Sequence, residues 1–325
     1  MRTKLLVVSL VALVVLAVAA SGECARGSEA ERYPTKPITY LVVWDPGGQS
    51  DRTARLQQPL LEKALGQKIV IDYKVGGGGA VGWAQFVRSK PDGYTIVGTN
   101  LPTIVTQPLM QDVGYKTEQF IPLCDFQYTP MALAVKKDSP YKSVKDLIAA
   151  AKANPSKVSI GGVALWSITH ILHLRLEKDA GVKMQFVPHS GSASQLTNLL
   201  GGHVDAITAY SDDTIRLRDQ IVPLAFATKE RFPGFENVPT FKELGFDYEM
   251  GVSRGVALPA GTPDYAVKRL EKAFVDIANS PEVKEQMRKD GFVSRAMGAE
   301  AFKTEISRQQ AFWKEALKDA DTSKK

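Results

Sequence analysis

Residues 41–56 read LVVWDPGGQSDRTARL, and the reading of this stretch decides the fold. An apolar, strand-like run ends in Trp44 and Asp45 and turns through Pro46, Gly47 and Gly48. From Asp51 the chain changes period: Ala54, Leu61 and Leu65 fall near one face of a helix, which Gly66 stops. The same succession returns in KIVID followed by DYKVGGGGAVGWAQF (72–86), where four glycines precede a second helix over about 80–89. The turn PDG and the strand YTIVGTN follow. Strand, loop and helix repeated in this order predict a parallel sheet covered by helices.

The pattern continues with new material. MALAVKK, KVSIGG, MQFVPH, VDAITAY and IVPLAFA read as strands, and SVKDLIAAAKAN, WSITHILHLRLEKDAG and SASQLTNLLGG as helices. Beyond GVSRGVALPAGTP the chain turns mainly helical. No linker separates the two α/β units, so they are expected as lobes joined by strands that cross near FIPLCDFQY (120–128) and YEMGVSRGVAL (248–258). One lobe would comprise residues 33–124 and 252–325, and the other residues 125–251.

Arg2 and Lys4, the apolar run Leu5–Ala20 and the small residues after it have the order of a secretory leader, expected over residues 1–22 with cleavage near 20–22. The run is short for a membrane span, which needs about 20 apolar residues. Lipid attachment at Cys24 is the rival, but Glu23 stands where a small residue is wanted. An exported, periplasmic protein follows. The formal charge of +6 falls to +4 without Arg2 and Lys4, and the cations are scattered, which argues against nucleic acid as partner. Two cysteines, Cys24 and Cys124, are too few for a disulfide framework, though one bridge is allowed by number.

In an open parallel sheet, ligands bind beyond the carboxyl ends of the strands. Helix N-termini there present unpaired N–H groups and partial positive charge. Gly47 and Gly48 in one turn, and Gly77 and Gly78 in the other, could expose main-chain donors to the two oxygens of a carboxylate. Neither turn carries a nucleotide fingerprint. Asp51 is expected to cap its own helix. Asp45, placed about 6 Å from a bound carboxylate, would cost roughly 2–3 kcal/mol. It should therefore point away or meet a cationic or hydroxylated part of the ligand. Trp44 reads as sheet core or as the floor of a pocket.

YPTKPITYLVVWDPGGQSDRTAR, GQKIVIDYKVGGGGAVG, PDGYTIVGT, FVPHSGSASQLTNLLGGHVDA, TKERFPGFENVPTFKELGFD and GVALPAGTP occur in this order. Together they resemble the extracytoplasmic solute receptors of tripartite tricarboxylate transporters, the Bug receptors, over nearly the whole chain after the leader. The resemblance implies a two-lobed, type II periplasmic binding protein fold, each lobe a sheet flanked by helices. It implies a small carboxylated solute, held largely by main-chain groups of the two glycine loops, and membrane transporter subunits as partners. By position it carries Gly47, Gly48, Gly77, Gly78 and Thr99 into the first wall of the site, and Ser167, His170 and Asp205 into the second. Ala164 and Trp166 stand where the family has small glycines, and Trp44 with Asp45 alters the approach to the first turn. These departures fit an aromatic or apolar monocarboxylate, or an amino acid, at least as well as a tricarboxylate.

His170 and His173, at i and i+3 of a helix with His189 beyond, lack a further ligand at recognisable spacing, so neither a metal nor a cofactor is expected. His170 reads instead as a brace for the Ser167 loop. No nucleophile elbow, HExxH or cysteine–base pair occurs, and adjacent Asp212 and Asp213 are poorly placed to share acid–base work. A monomeric receptor is the reading. A secreted hydrolase or a ligand sensor acting on a carboxylate compound is the alternative.

Overall fold

In a computed structural model of the protein, which describes residues 30–318, the opening apolar run forms strand β1 (Ile38–Val42) and the glycine turn feeds helix α1 (Gln49–Leu65). The expected leader and Cys24 lie outside the described residues. Gly66 closes α1 in the left-handed conformation, its N–H bonded to the Glu62 carbonyl. Strand β2 (Ile69–Tyr73), a 3-10 turn at Gly77–Gly79, helix α2 (Ala80–Phe86) and strand β3 (Thr95–Leu101) complete the predicted repeat. β1 lies between β2 and β3 and runs parallel to both. Helix α3 (Thr103–Met110) follows, and Pro102 and Pro108 had hidden it from the sequence reading.

Where the sequence predicted two separate segments, Phe120–Lys136 is one strand of 17 residues, β4. Its first half pairs antiparallel with β9 (Gly251–Pro259) and with β10 (Val293–Gly298). Its second half pairs with β7 (Ala206–Tyr210) and β8 (Ile221–Phe226). Register shifts at Pro122/Cys124 and Asp125/Gln127 bend the strand as it passes from one sheet to the next. β9 also pairs with β3, so β4 and β9 together bridge the lobes.

The second lobe adds α4 (Val144–Ala153), β5 (Ser159–Val163), α5 (Ile168–Ala180), β6 (Gln185–His189), α6 (Ser192–Leu200) and the short α7 (Ser211–Arg216). β5 runs parallel to β6 and β7. The strand order is therefore β2-β1-β3-β9-β4-β7-β5-β6. The closing helices α8 (Asp264–Asn279), α9 (Pro281–Lys289) and α10 (Ala299–Ala316) return to the first lobe. Phe274 of α8 meets Tyr40 of β1 edge-on, and Leu270 shares a core with Leu61 of α1.

Beneath the mouth of the first lobe the core is aromatic. Trp83 is fully buried on α2, donates Nε1–H to the Gly98 carbonyl at 3.0 Å, and stands edge-on to Trp44 at 5.8 Å and to Tyr115 at 5.6 Å. Trp44 is thereby braced from behind. Trp83→Ala removes this support and leaves a cavity. The expected loss is about 3–5 kcal/mol of unfolding free energy, measured by urea denaturation; a loss under about 1 kcal/mol would show that the ring does not organise this core.

Candidate functional site: the cleft between the lobes

Two adjoining cavities lie where the strand ends of both lobes converge. One is walled by Trp44, Gln49, Asn100, Ser167, Tyr210 and Arg254, among others, and the other by Trp44, Thr53, Thr99, Asn100 and Arg254. They hold about 20 and 10 Å³, the scale of a single water molecule each. A solute can enter only if the lobes part, so the structure shows the cleft closed. Two roomier hollows, about 410 and 450 Å³, flank α10 away from this cleft. Of the charges that face the first of them, Arg295 pairs with Asp125, Arg308 with Glu305 and Glu249 with Lys229, while Arg175 donates to the Asp247 carbonyl and lies over the Tyr248 ring.

Residues of the two lobes bond directly across the cleft. Asp45 accepts from Ser190 at 3.1 Å and from Ser194 at 2.6 Å. The Gln49 N–H donates to Ser192 Oγ at 3.0 Å, and Thr106 donates to the Trp166 carbonyl. A Cβ on Gly78, where φ is +65°, would come within 2.3 Å of Ala164 Cβ on the opposite lobe. That glycine is needed for the approach of the lobes.

The sequence expectation of a main-chain cradle is corrected at the first turn. Gly47 donates to Asp51 at 2.6 Å and Gly48 to the Asp45 carbonyl at 3.1 Å, so these donors are taken by the turn itself. In the second turn the Gly77 and Gly78 carbonyls accept from Gln107, at 3.3 and 3.1 Å. None of these four glycines lines either cavity. Asp51 holds the loop as expected and also binds Tyr73 and Arg55. Asp45 meets hydroxyls, but those of the other lobe.

Of the remaining expected residues, Trp44, Thr99 and Ser167 reach the cavity walls. Trp44 is core and wall at once, its Nε1–H bonded to Asn100 at 2.8 Å. Ser167 caps α5, and His170 braces that loop by accepting the Trp166 N–H at 3.2 Å. Trp166 itself packs edge-on against His170. Ala164 and Trp166 both adopt left-handed backbone, at φ 67° and 60°. A side chain there is strained by about 1 kcal/mol or more. Asp205 is a second correction: it precedes β7 and binds Ser159 at the start of β5, the opposite end of these strands from the cleft.

The residue that sequence reasoning missed is Arg254, on β9. It is 4% exposed and lines both cavities. Its guanidinium bonds the hydroxyls of Thr129 at 3.2 Å and Ser50 at 3.4 Å and lies 5.3 Å from the centre of the Tyr210 ring. Among the described residues no carboxylate lies within 4.0 Å of it. A buried cation whose hydrogen-bond partners are hydroxyls, with Asp212 and Asp213 beyond 4.0 Å, has the chemistry to receive an anion. One sign of it was present in the sequence, a lone cation inside the apolar run GVSRGVAL.

Behind this wall, Asp212 and Asp213 open α7 and are buried. Arg52 of α1 binds both, reaching Asp213 at 3.3 Å, and Gln49 donates its amide to Asp212. Arg216 binds Asp213 at 3.0 Å. Burial, and then the charge of Asp213, pushes the Asp212 carboxyl up to about 7 against the pull of Arg52 and Arg254. An unfolded aspartate titrates near 3.9, so the folded state holds more protons throughout about pH 4–7. Stability from this group is therefore greatest at the acid end of that window and declines as pH rises through about 7. Asp125, pushed up to about 6 by burial, acts in the same direction. Asp212→Asn should flatten, without abolishing, the fall of Tm between pH 5 and pH 7.5; an unaltered slope would show that Asp212 does not titrate there.

Comparison with known proteins agrees with this architecture. Residues 53–321 match the family model described as the tripartite tricarboxylate transporter family receptor. Protein BugT of Bordetella pertussis is 30% identical over 288 residues, 87% of this chain and 88% of that one. The structure of the periplasmic binding protein BugD superposes with a TM-score of 0.82 at 28% identity, covering 89% of this chain and 98% of BugD. An R. palustris protein, Rpa4515, solved with adipate, gives a TM-score of 0.83 at 28% identity, covering 88% of this chain and 97% of that one. The two superpositions show the same fold along nearly the whole of each chain. The chain belongs to the tripartite tricarboxylate transporter receptor family.

Proposed function

We propose that the protein is a periplasmic receptor that captures a small carboxylated solute between its lobes and delivers it to the membrane subunits of a tripartite transporter. The observation that carries this reading is Arg254, a buried guanidinium on a lobe-bridging strand with hydroxyl partners alone. The family description and the adipate found in the R. palustris relative support it. In this reading the lobes divide as residues 33–124 with 252–318, and 125–251. The open cleft admits the solute, its carboxylate meets Arg254, and closure removes water from the pair. Such a contact is worth several kcal/mol in a desolvated site, where one at the surface would be worth little.

The direct contacts across the cleft set the return path. Asp45 with Ser190 and Ser194, and Arg52 with Asp212 and Asp213, close the empty receptor, and a solute larger than water is held only when these contacts lengthen to make room. Carboxylate binding adds to a closure the protein already supports, and release needs only that these bonds yield. The role proposed is binding and hand-over, without chemical change to the solute. No helix among the described residues is long and apolar enough to cross a membrane.

A panel of short carboxylates screened by thermal shift, followed by titration calorimetry, tests the assignment. Arg254→Met should weaken binding of any acid that the wild type takes by at least about 30-fold, in line with the roughly 2–5 kcal/mol of a buried charge contact. Replacing a buried cation by an apolar side chain should leave Tm equal or higher. Undiminished affinity in Arg254→Met would remove Arg254 from the site.

A further inference from the structure

Resting on the carboxylate reading above, we propose that the cleft selects a monocarboxylate with a hydroxyl or ammonium group next to its carboxylate, and that Gln49 recognises that group. Gln49 opens α1, is 2% exposed and walls the larger cleft cavity. Its Nε2 donates to Asp212 Oδ1 and to Thr129 Oγ1, the latter at 3.3 Å. Two acceptors on one side fix the amide, and its Oε1 is left buried with no hydrogen-bond donor. A ligand that brings an N–H or O–H relieves that deficit, and one without a donor does not.

Thr129 Oγ1 also receives Arg254 at 3.2 Å. The guanidinium and the Gln49 amide therefore meet at a single hydroxyl. A carboxylate seated on Arg254 places the substituent of its own α-carbon within reach of Gln49. The charges nearby favour the same class. Arg254 is the cation that lines the cavity, while Asp212 stands directly behind Gln49, next to Asp213 in the chain. A second carboxylate on the ligand would find no further cation in the wall, since Arg52 and Arg216 behind it are already engaged by these two acids. An ammonium or a hydroxyl at that position faces acceptors instead. The class is thus α-hydroxy or α-amino monocarboxylates, set apart from both plain monocarboxylates and dicarboxylates.

Titration calorimetry of the protein with propionate, lactate, alanine and succinate provides the test. The wild type should bind lactate or alanine at least about tenfold more tightly than propionate and succinate, and the better of the two identifies the donor. Gln49→Met, which keeps the bulk and removes the amide, its acceptor together with its donors to Asp212 and Thr129, should bring that acid to within about twofold of propionate. Wild-type discrimination stands as a test even if the variant is unstable. Equal binding of propionate, tightest binding of succinate, or a preference that survives in Gln49→Met would overturn the proposal and leave the carboxylate reading in place. Binding of none of the four acids would count against both.

Discussion

The antiparallel ladder between β4 and β9, running from Phe120 opposite Pro259 to Pro130 opposite Gly251, is the constraint on which the rest depends. Both strands pass from the first sheet towards the second, so the lobes share a backbone that can bend but not separate. Arg254 sits within this ladder, facing Gln127 on one side and Asn100 of β3 on the other. Its backbone is thus fixed within the first sheet, between β3 and β4, whatever the opening of the cleft. A charge held in a bridging strand costs desolvation. The hydroxyls of Thr129 and Ser50 and the face of Tyr210 offset only part of that, which leaves the group disposed to take an anion.

Around this fixed charge the two lobes carry complementary polar groups. The first lobe supplies Asp45, Gln49 and Arg52 from the glycine turn and the start of α1; the second supplies Ser190, Ser192 and Ser194 around the start of α6, and Asp212 and Asp213 at the start of α7. Asp45 at the N-terminus of α6 is a favourable placement for a carboxylate, since the helix exposes partial positive charge there. These pairings explain why the cleft closes on itself with room for about a water molecule in each cavity. They also explain why the glycines matter. A Cβ on Gly78 would clash with Ala164, and one on Gly191 would press against Asp45 at 3.0 Å.

Much of the fold was legible because the local signals agree with each other. Glycine turns, helix stops and apolar strands in alternation leave few topologies for residues 38–101, and the crossings near 120–128 and 248–258 fall on β4 and β9. What escaped were elements with contrary local chemistry: α3, preceded by Pro102 and carrying Pro108 inside it, α7 with two acids in its first turn, and β10 with its partly polar sequence. The site was less legible for a different reason. Gln49 meets Ser192 and Asp212 across 143 and 163 residues of chain, and no periodicity reports such a meeting. The Gly47 and Gly48 donors that looked available turn out to be consumed within their own turn, a bookkeeping that only the folded backbone reveals. Asp205 shows the same limit, since a position in a motif does not say which end of the strand it occupies.

The central claim is that the negative charge of a solute, seated on Arg254, is what the closed cleft recognises. The most direct measurement is a calorimetric comparison of each acid that binds with its primary amide, which matches the acid in size and shape but is uncharged. Binding of the acid with the amide at least about 30-fold weaker is the expected result, from the roughly 2–5 kcal/mol of a buried charge contact. Equal binding of acid and amide would contradict it, because the guanidinium would then contribute no more to the site than a neutral donor.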